Sequence, residues 1–113
     1  MSTISYIEMG SGNASLSSSF FERLFDWRFH AMDGSEGGGW FETSSIRVGL
    51  HGRDHEFGIV PYFRVQSIEV AVADVRRLGG QADDHIANEP GFGRFCNCKD
   101  PQGMRFGLHE PPT

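Results

Sequence analysis

The chain is poor in cysteine, in basic residues and in long apolar runs, and each shortage excludes something. Among 113 residues only Cys96 and Cys98 are cysteine. On one strand, positions i and i+2 put both thiols on the same face, a geometry unsuited to bridging each other. No second cysteine pair exists to complete a zinc ribbon. Two reduced thiols in a cytoplasmic protein are therefore expected. Lys and Arg number 10 against 15 Asp and Glu, a net charge of −5, and no local basic stripe offsets it, so a nucleic-acid partner is not expected. No apolar run approaches the roughly 20 residues of a membrane-spanning helix, and Met1 to Asn13 have neither the basic region nor the apolar core of a signal peptide. Gly37-Gly38-Gly39 is followed by neither Lys-Ser/Thr nor a helix start, which makes it a hairpin loop rather than a phosphate cradle. There is no nucleophile elbow and no Ser-His-Asp spacing.

What is present is a pattern of elements that runs twice. Thr3 to Met9 alternates as a strand, and Asn13 is placed to cap a helix. Leu16, Phe20 and Leu24 recur at helical spacing with Phe21 widening the stripe, so this helix is expected to bury that stripe and to end near Phe25. Trp27 to Met32, Trp40 to Thr43 and Ile46 to Leu50 read as strands, with Asp33 to Gly39 as a flexible connection. Arg53 to Gly58 reads as the linker. The second half repeats the order: a strand over Pro61 to Gln66, then a helix capped by Ser67 with Ile68, Val72, Val75 and Leu78 on one face. Gly79-Gly80 stops it. Gln81 to Ile86 follows as a strand and Ala87 to Phe92 as a loop. A hairpin closes the chain, Gly93 to Lys99 and Met104 to Leu108 joined by the turn Asp100-Pro101-Gln102-Gly103. Met104, Phe106 and Leu108 alternate with Arg105, Gly107 and His109, giving one apolar and one semi-polar face.

Two βαβββ units in tandem, closed by a strand–DPxG–strand hairpin ending in Phe106-Gly107-Leu108, resemble the vicinal oxygen chelate superfamily, the group of glyoxalase I, bleomycin-resistance proteins and extradiol dioxygenases. Tyr6 to Met9, Phe20 to Trp27, Tyr62 to Val65 running through Leu78-Gly79-Gly80, and Gly93 to Leu108 carry the resemblance; Asp33 to Gly58 matches least. It implies an α+β fold of two tandem βαβββ units forming concave mixed sheets with helices packed outside. Residues 1–113 are expected as a single glyoxalase/bleomycin-resistance-like domain, unit one about 1–52 and unit two about 59–113. It further implies a ligand cleft on the concave face, and pairing of such chains as homodimers. The residues agree on one point: helix stripes bury one sheet face and leave the other to line a pocket.

Enzymes of the superfamily hold a divalent metal with His, Glu or Gln from the first and fourth strands of each unit. Carried onto this chain, those places fall on Tyr6, near Gly49, near Val60 and on Gly107. Glycine and valine offer no side-chain donor, so no metal cofactor is expected. The alternative is a shifted divalent-metal site of Glu8, His51 and His109, each two residues beyond a family place and hence on the same face. Other candidates concern a ligand. Glu8, Tyr62 and Arg64 suggest a polar floor, with Arg64 binding an anion bidentately and Glu8 available as a base; the plainer account pairs Arg64 with Glu8. Arg47, Arg94 and Arg105 are candidates for the cleft rim. Trp40 and Phe92 flank glycine-rich loops, where bulky exposed side chains call for a ligand or a partner chain, while Phe20, Phe21, Phe63, Phe95 and Phe106 are assigned to the core. The expected ligand-binding set is thus Tyr6, Glu8, Trp40, Arg47, His51, Tyr62, Arg64 and Phe92. The expected function is small-molecule binding without a metal, in a cytoplasmic homodimer with no membrane partner. The alternative is a divalent-metal-dependent lyase, isomerase or dioxygenase.

Overall fold

The structure, a computed structural model, describes residues 3–34 and 36–113; Met1, Ser2 and Ser35 (the last within the expected Asp33–Gly39 connection) lie outside the described residues. The elements are β1 (Ile4–Gly10), α1 (Ala14–Phe25), β2 (Arg28–Ala31), β3 (Gly39–Glu42), β4 (Arg47–His51), β5 (Gly58–Arg64), α2 (Ile68–Arg77), β6 (Gln81–Ala82), β7 (Ala87–Glu89), β8 (Gly93–Lys99) and β9 (Arg105–Glu110). They make an α+β fold of mixed sheets, and the chain divides into two compact units, Tyr6–Val60 and Pro61–Thr113, with residues 3–5 belonging to the second.

In the first unit the strands lie in the order β2-β3-β4-β1, with β1 parallel to β4 and the other pairs antiparallel. The register sets Glu8 opposite Gly49 and Tyr6 opposite Arg47. Period-two alternation then sends Ile7, Met9, Phe41, Val48 and Leu50 to one face, where they form the core with Ala14 of α1. Phe41 is fully buried, and burying such a side chain contributes roughly 1.5–3 kcal/mol. Around it stand Phe21, Trp27 and Phe29, with ring centroids 4.9 to 6.2 Å from Phe41.

α1 starts and stops as the sequence indicates: Asn13 accepts from the Leu16 amide, and Asp26 closes the helix at φ 56° in the left-handed region. Its orientation does not. Leu16, Phe20 and Leu24, expected in the core, are 71, 59 and 57% exposed, whereas Ala14 and Ser18 are buried. The physical reason lies in the sheet. Its inner face is already occupied by Phe29, Phe41 and the neighbouring Trp27, so the helix turns Ala14, Ser18 and Phe21 toward it and leaves Leu16, Phe20 and Leu24 outside.

The expected linker is also different in kind. The segment after β4 is fastened within the first unit by the hydrogen bonds Arg53 N to Gly12 O (3.2 Å) and Asp54 N to Ser11 O (3.0 Å). β5 begins at Gly58 rather than Pro61, because Ile59 and Val60 extend the β-forming run upstream of the proline.

In the second unit the order is β6-β8-β9-β5, with β7 also on β8, the same arrangement as in the first. β5 runs parallel to β9, with Tyr62 opposite Gly107 and Arg64 opposite His109. α2 is capped by Ser67 and buries Ile68 and Val72 against Cys96, Cys98 and Leu108. Leu78 falls on the cap and is exposed. Gly79, at φ 89°, ends the helix as expected. The expected strand Gln81–Ile86 is cut to β6, since the acidic Asp83-Asp84 bend turns outward; part of the expected loop then forms β7, paired to β8. The closing turn is as expected, with Gly103 N bonded to Asp100 O at 3.0 Å and Gly103 at φ 91°. Both cysteines are free and buried.

Candidate functional site

Each unit has one sheet face packed by its helix and one that carries the polar side chains. On the first unit's polar face the register gathers Tyr6 and Glu8 of β1, Arg47, Gly49 and His51 of β4, Trp40 and Glu42 of β3, and His30 of β2. Tyr6 Oη donates to Glu8 Oε1 at 2.5 Å. Glu8 Oε2 meets His51 Nδ1 at 2.5 Å, and His51 Nε2 meets Asp54 Oδ2 at 3.0 Å. Burial works against a charge on the half-exposed His51 ring, but hydrogen bonds to Glu8 and Asp54 outweigh it, so the His51 pKa is raised above its ordinary value. Glu8 therefore pairs with Tyr6 and His51, and these are its hydrogen-bond partners rather than Arg64.

Trp40 stands between two neighbours. The His30 ring is stacked on it at 4.2 Å, and the Arg47 guanidinium lies over the indole at 4.0 Å. His30 Nε2 in turn meets Glu42 Oε1 at 2.5 Å. A ligand meeting Trp40 finds an indole already stacked on a cation and an imidazole.

On the second unit's polar face, β5 presents Tyr62 and Arg64, β9 presents Arg105, Gly107 and His109, and β8 presents Phe95, Asn97 and Lys99. No carboxylate occupies these eight positions. Tyr62 is buried and its hydroxyl donates to Asn97 Oδ1. Phe92 stacks on His109 at 4.0 Å and packs edge-on against Phe95. The His109 nitrogens are both engaged: Nε2 donates to the Phe92 carbonyl at 2.7 Å, and Nδ1 meets Ser5 Oγ at 2.7 Å. Buried in this way, His109 braces the Phe92 turn against the start of β1.

The family's metal does not fit the side chains at its places. A Cβ on Gly49 would fall 1.7 Å from Tyr6 Oη and 2.3 Å from Glu8 Oε1, and one on Gly107 would fall 2.1 Å from the Tyr62 ring. The space a donor would need is filled by tyrosine in both units. Of the shifted set, Glu8 and His51 meet, while His109 belongs to the other unit with both nitrogens occupied. Among the described residues no group of three or more His, Cys, Asp or Glu is arranged to hold a metal ion.

A cleft of about 1140 Å³ opens elsewhere in the second unit, on the α2 side, lined by Val65, Val70, Asn88, Pro90, Pro111 and others, with Arg64 at its rim. Arg94, expected at the ligand cleft, lies here instead, bridging Glu69 and Glu110. Those pairings raise the Arg94 pKa and hold the Glu69 carboxyl below its ordinary value. The cleft lies on the α2 side rather than on the polar face, and its polar lining includes Asp74, Asn88 and Glu89 beside the Arg94–Glu110 pair. His30, Glu42, Asp54, Asn97 and Lys99 are among the residues of these faces that the sequence did not announce. Asn97 had a signal, since alternation from Cys96 and Cys98 turns it outward; Asp54 had none, because only the folded-back loop brings it to His51.

No family model matches the sequence, and no curated protein matches it. Solved structures do match the fold. A hypothetical protein of Bacillus halodurans superposes with a TM-score of 0.75 at 15% identity, over 99% of this chain and 96% of that one. Methylmalonyl-CoA epimerase of Mycobacterium tuberculosis gives 0.72 at 12% identity, over 97 and 88%. Homoprotocatechuate 2,3-dioxygenase of Brevibacterium fuscum, in complex with 3,4-dihydroxyphenylacetate, gives 0.73 at 17% identity, over 97% of this chain but 36% of that one. The chain thus has the glyoxalase/bleomycin-resistance type of fold, and its structural neighbours include members of the vicinal oxygen chelate superfamily. No helix among the described residues is long and apolar enough to cross a membrane.

Proposed function

We propose that this chain is a small-molecule binding protein of the glyoxalase/bleomycin-resistance type that works without the superfamily's metal, as a cytoplasmic homodimer. The observation that carries this reading is the pair Gly49 and Gly107, each with its side-chain space filled by a tyrosine where a metal donor would otherwise stand. The ligand class is an organic anion with an aromatic or acyl portion. Arg64 and Lys99, on a face whose β5, β8 and β9 positions bear no carboxylate, support the charge preference, with Glu89 of β7 opposite Gly93 at its edge; Tyr62, Phe92 and Phe95 supply apolar area beside them. Neighbours of this fold are named for organic anions, methylmalonyl-CoA and 3,4-dihydroxyphenylacetate.

Isothermal titration against a panel of aromatic and acyl carboxylates tests the reading. Binding is expected, and Arg64→Ala is expected to weaken it by about tenfold or more, the range of a lost charge-assisted pair. No binder in the panel, or binding indifferent to Arg64, retires it. The rival, a divalent-metal-dependent lyase, isomerase or dioxygenase, keeps of its expected donors Glu8 and His51, which meet at 2.5 Å. Elemental analysis of untagged protein separates the two: stoichiometric metal that is lost in His51→Ala selects the rival.

A further inference from the structure

The stripe Leu16, Phe20, Leu24 is the largest departure from the usual distribution of apolar side chains in the first unit. A helix that buries Ser18 and exposes two leucines and a phenylalanine is inverted for a solitary chain. Phe57, 70% exposed, lies beside the turn that leads into α1, its ring 3.0 Å from the Cβ position of Gly12.

We propose that this outward face of α1 is the docking surface for a second copy of the same chain. The proposal rests on the homodimer suggested above and is independent of the ligand. Two features select a second copy over another occupant. The stripe is symmetric about Phe20, so an antiparallel two-fold pairing of α1 helices sets Phe20 against Phe20 and Leu16 against Leu24. Charge follows the same symmetry. Arg23, which has no ion-pair partner among the described residues, flanks the stripe near the C-terminal end of α1. At the N-terminal end, on the same flank, the loop carrying Glu36 touches the helix, with the Cβ position of Gly37 2.8 Å from Ser15 Oγ. Glu36 already pairs with Arg53 of its own chain at 2.6 Å; antiparallel pairing brings the other copy's Arg23 to that exposed carboxylate as a second cation, and Ser15 and Ser19 on that flank are small enough for close approach. A basic amphipathic face of the membrane-binding kind is absent, since α1 carries one arginine and one glutamate.

Sedimentation velocity over a wide concentration range is the test. Wild type is expected as a reversible dimer. Phe20→Glu and Leu16→Asp, both at exposed positions, are each expected to weaken self-association at least tenfold with an unchanged circular dichroism spectrum. Arg23→Glu weakens it, and the exchange Arg23→Glu with Glu36→Arg restores it. Val70→Glu, at an exposed apolar position on α2, leaves it unchanged. A dimer indifferent to Phe20→Glu and Leu16→Asp, or one equally broken by Val70→Glu, overturns this surface while leaving the homodimer standing. A chain that is monomeric at every concentration overturns both.

Discussion

Replacing Gly107 by alanine isolates the physical claim that a tyrosine fills the glycine's space. The new Cβ would lie 2.1, 2.2 and 2.6 Å from Tyr62 Cδ2, Cε2 and Cγ, whereas two carbons pack at about 3.5–4.0 Å. The ring must therefore retreat by about 1.5 Å. Tyr62 is buried, packed edge-on to Phe95 and hydrogen-bonded to Asn97, so it has little room to do so. Overpacking of this kind costs about 1–3 kcal/mol, and losing the Asn97 hydrogen bond adds about 1 kcal/mol. Alanine also lowers the entropy of the unfolded chain, a gain of about 0.4–1 kcal/mol that does not offset a clash of this size. The expected net loss is about 2–3 kcal/mol, or roughly 10 °C in Tm for a domain of this length.

Urea titration of four proteins reads this out: wild type, Gly107→Ala, Tyr62→Ala and the double variant. Because the three atoms nearest the new methyl group all belong to the tyrosine, adding Gly107→Ala to Tyr62→Ala is expected to cost little. The coupling should reach about 1–2 kcal/mol. Two results refute the reasoning: a Gly107→Ala loss below about 0.5 kcal/mol, or losses that simply add in the double variant.

Further outcomes follow from the other contacts. His51 should titrate above its ordinary value by NMR, and Glu8→Gln should lower that pKa. Because the folded-state pKa is the raised one, the stability His51 contributes is fully present below the ordinary imidazole range and is lost as pH rises through the folded value. The stability difference between wild type and His51→Ala should accordingly shrink with rising pH; a constant difference argues against the clamp. Burial raises the Cys96 thiol and pushes Cys98 up to about 12, so both should resist a thiol reagent at mildly alkaline pH until the chain is unfolded. Rapid labelling of native protein would contradict their burial. Ser67→Ala should cost about 1 kcal/mol through the lost cap to the Val70 amide, measured by thermal melting, and a neutral result would mean another donor or water takes over.

The sequence disclosed those elements whose signals are local. Asn13, Ser67, Gly79 and the DPxG turn each act through their own neighbours, and all four sit where they were expected. It disclosed less wherever a distant surface decides. The spacing of Leu16, Phe20 and Leu24 correctly indicated a helix but not which way it faces, because that depends on how much room Phe29, Phe41 and Trp27 leave on a sheet assembled from other strands. Gln81–Ile86 carried no strong strand period, and the structure divides it where Asp83 and Asp84 turn outward. The site was legible to the same degree. Alternation placed Glu8 and His51 on one face, yet Asp54 joins them only through the fold-back of the loop onto Ser11 and Gly12. Arg94 has the opposite history, facing α2 because Cys96 and Cys98, two and four residues on, belong to the core.

The two units solve the glycine position by different means. In the second, Tyr62 stands directly opposite Gly107 in the register and lies across it. In the first, the residue opposite Gly49 is Glu8, and Tyr6, two residues upstream, reaches over with its hydroxyl to fill the space and hold the carboxylate. One unit thus closes its polar face with an aromatic ring fixed by an amide, the other with a phenol tied to an acid and an imidazole. The first face keeps titratable groups in contact with solvent, while the second keeps cations beside buried aromatic surface. A face of the second kind attracts an anion and holds its apolar part; a face of the first kind can take or give a proton. Since neither glycine can accept a side chain while its tyrosine remains, the tyrosines set what each face can do, and the chemistry of any ligand has to be matched to them.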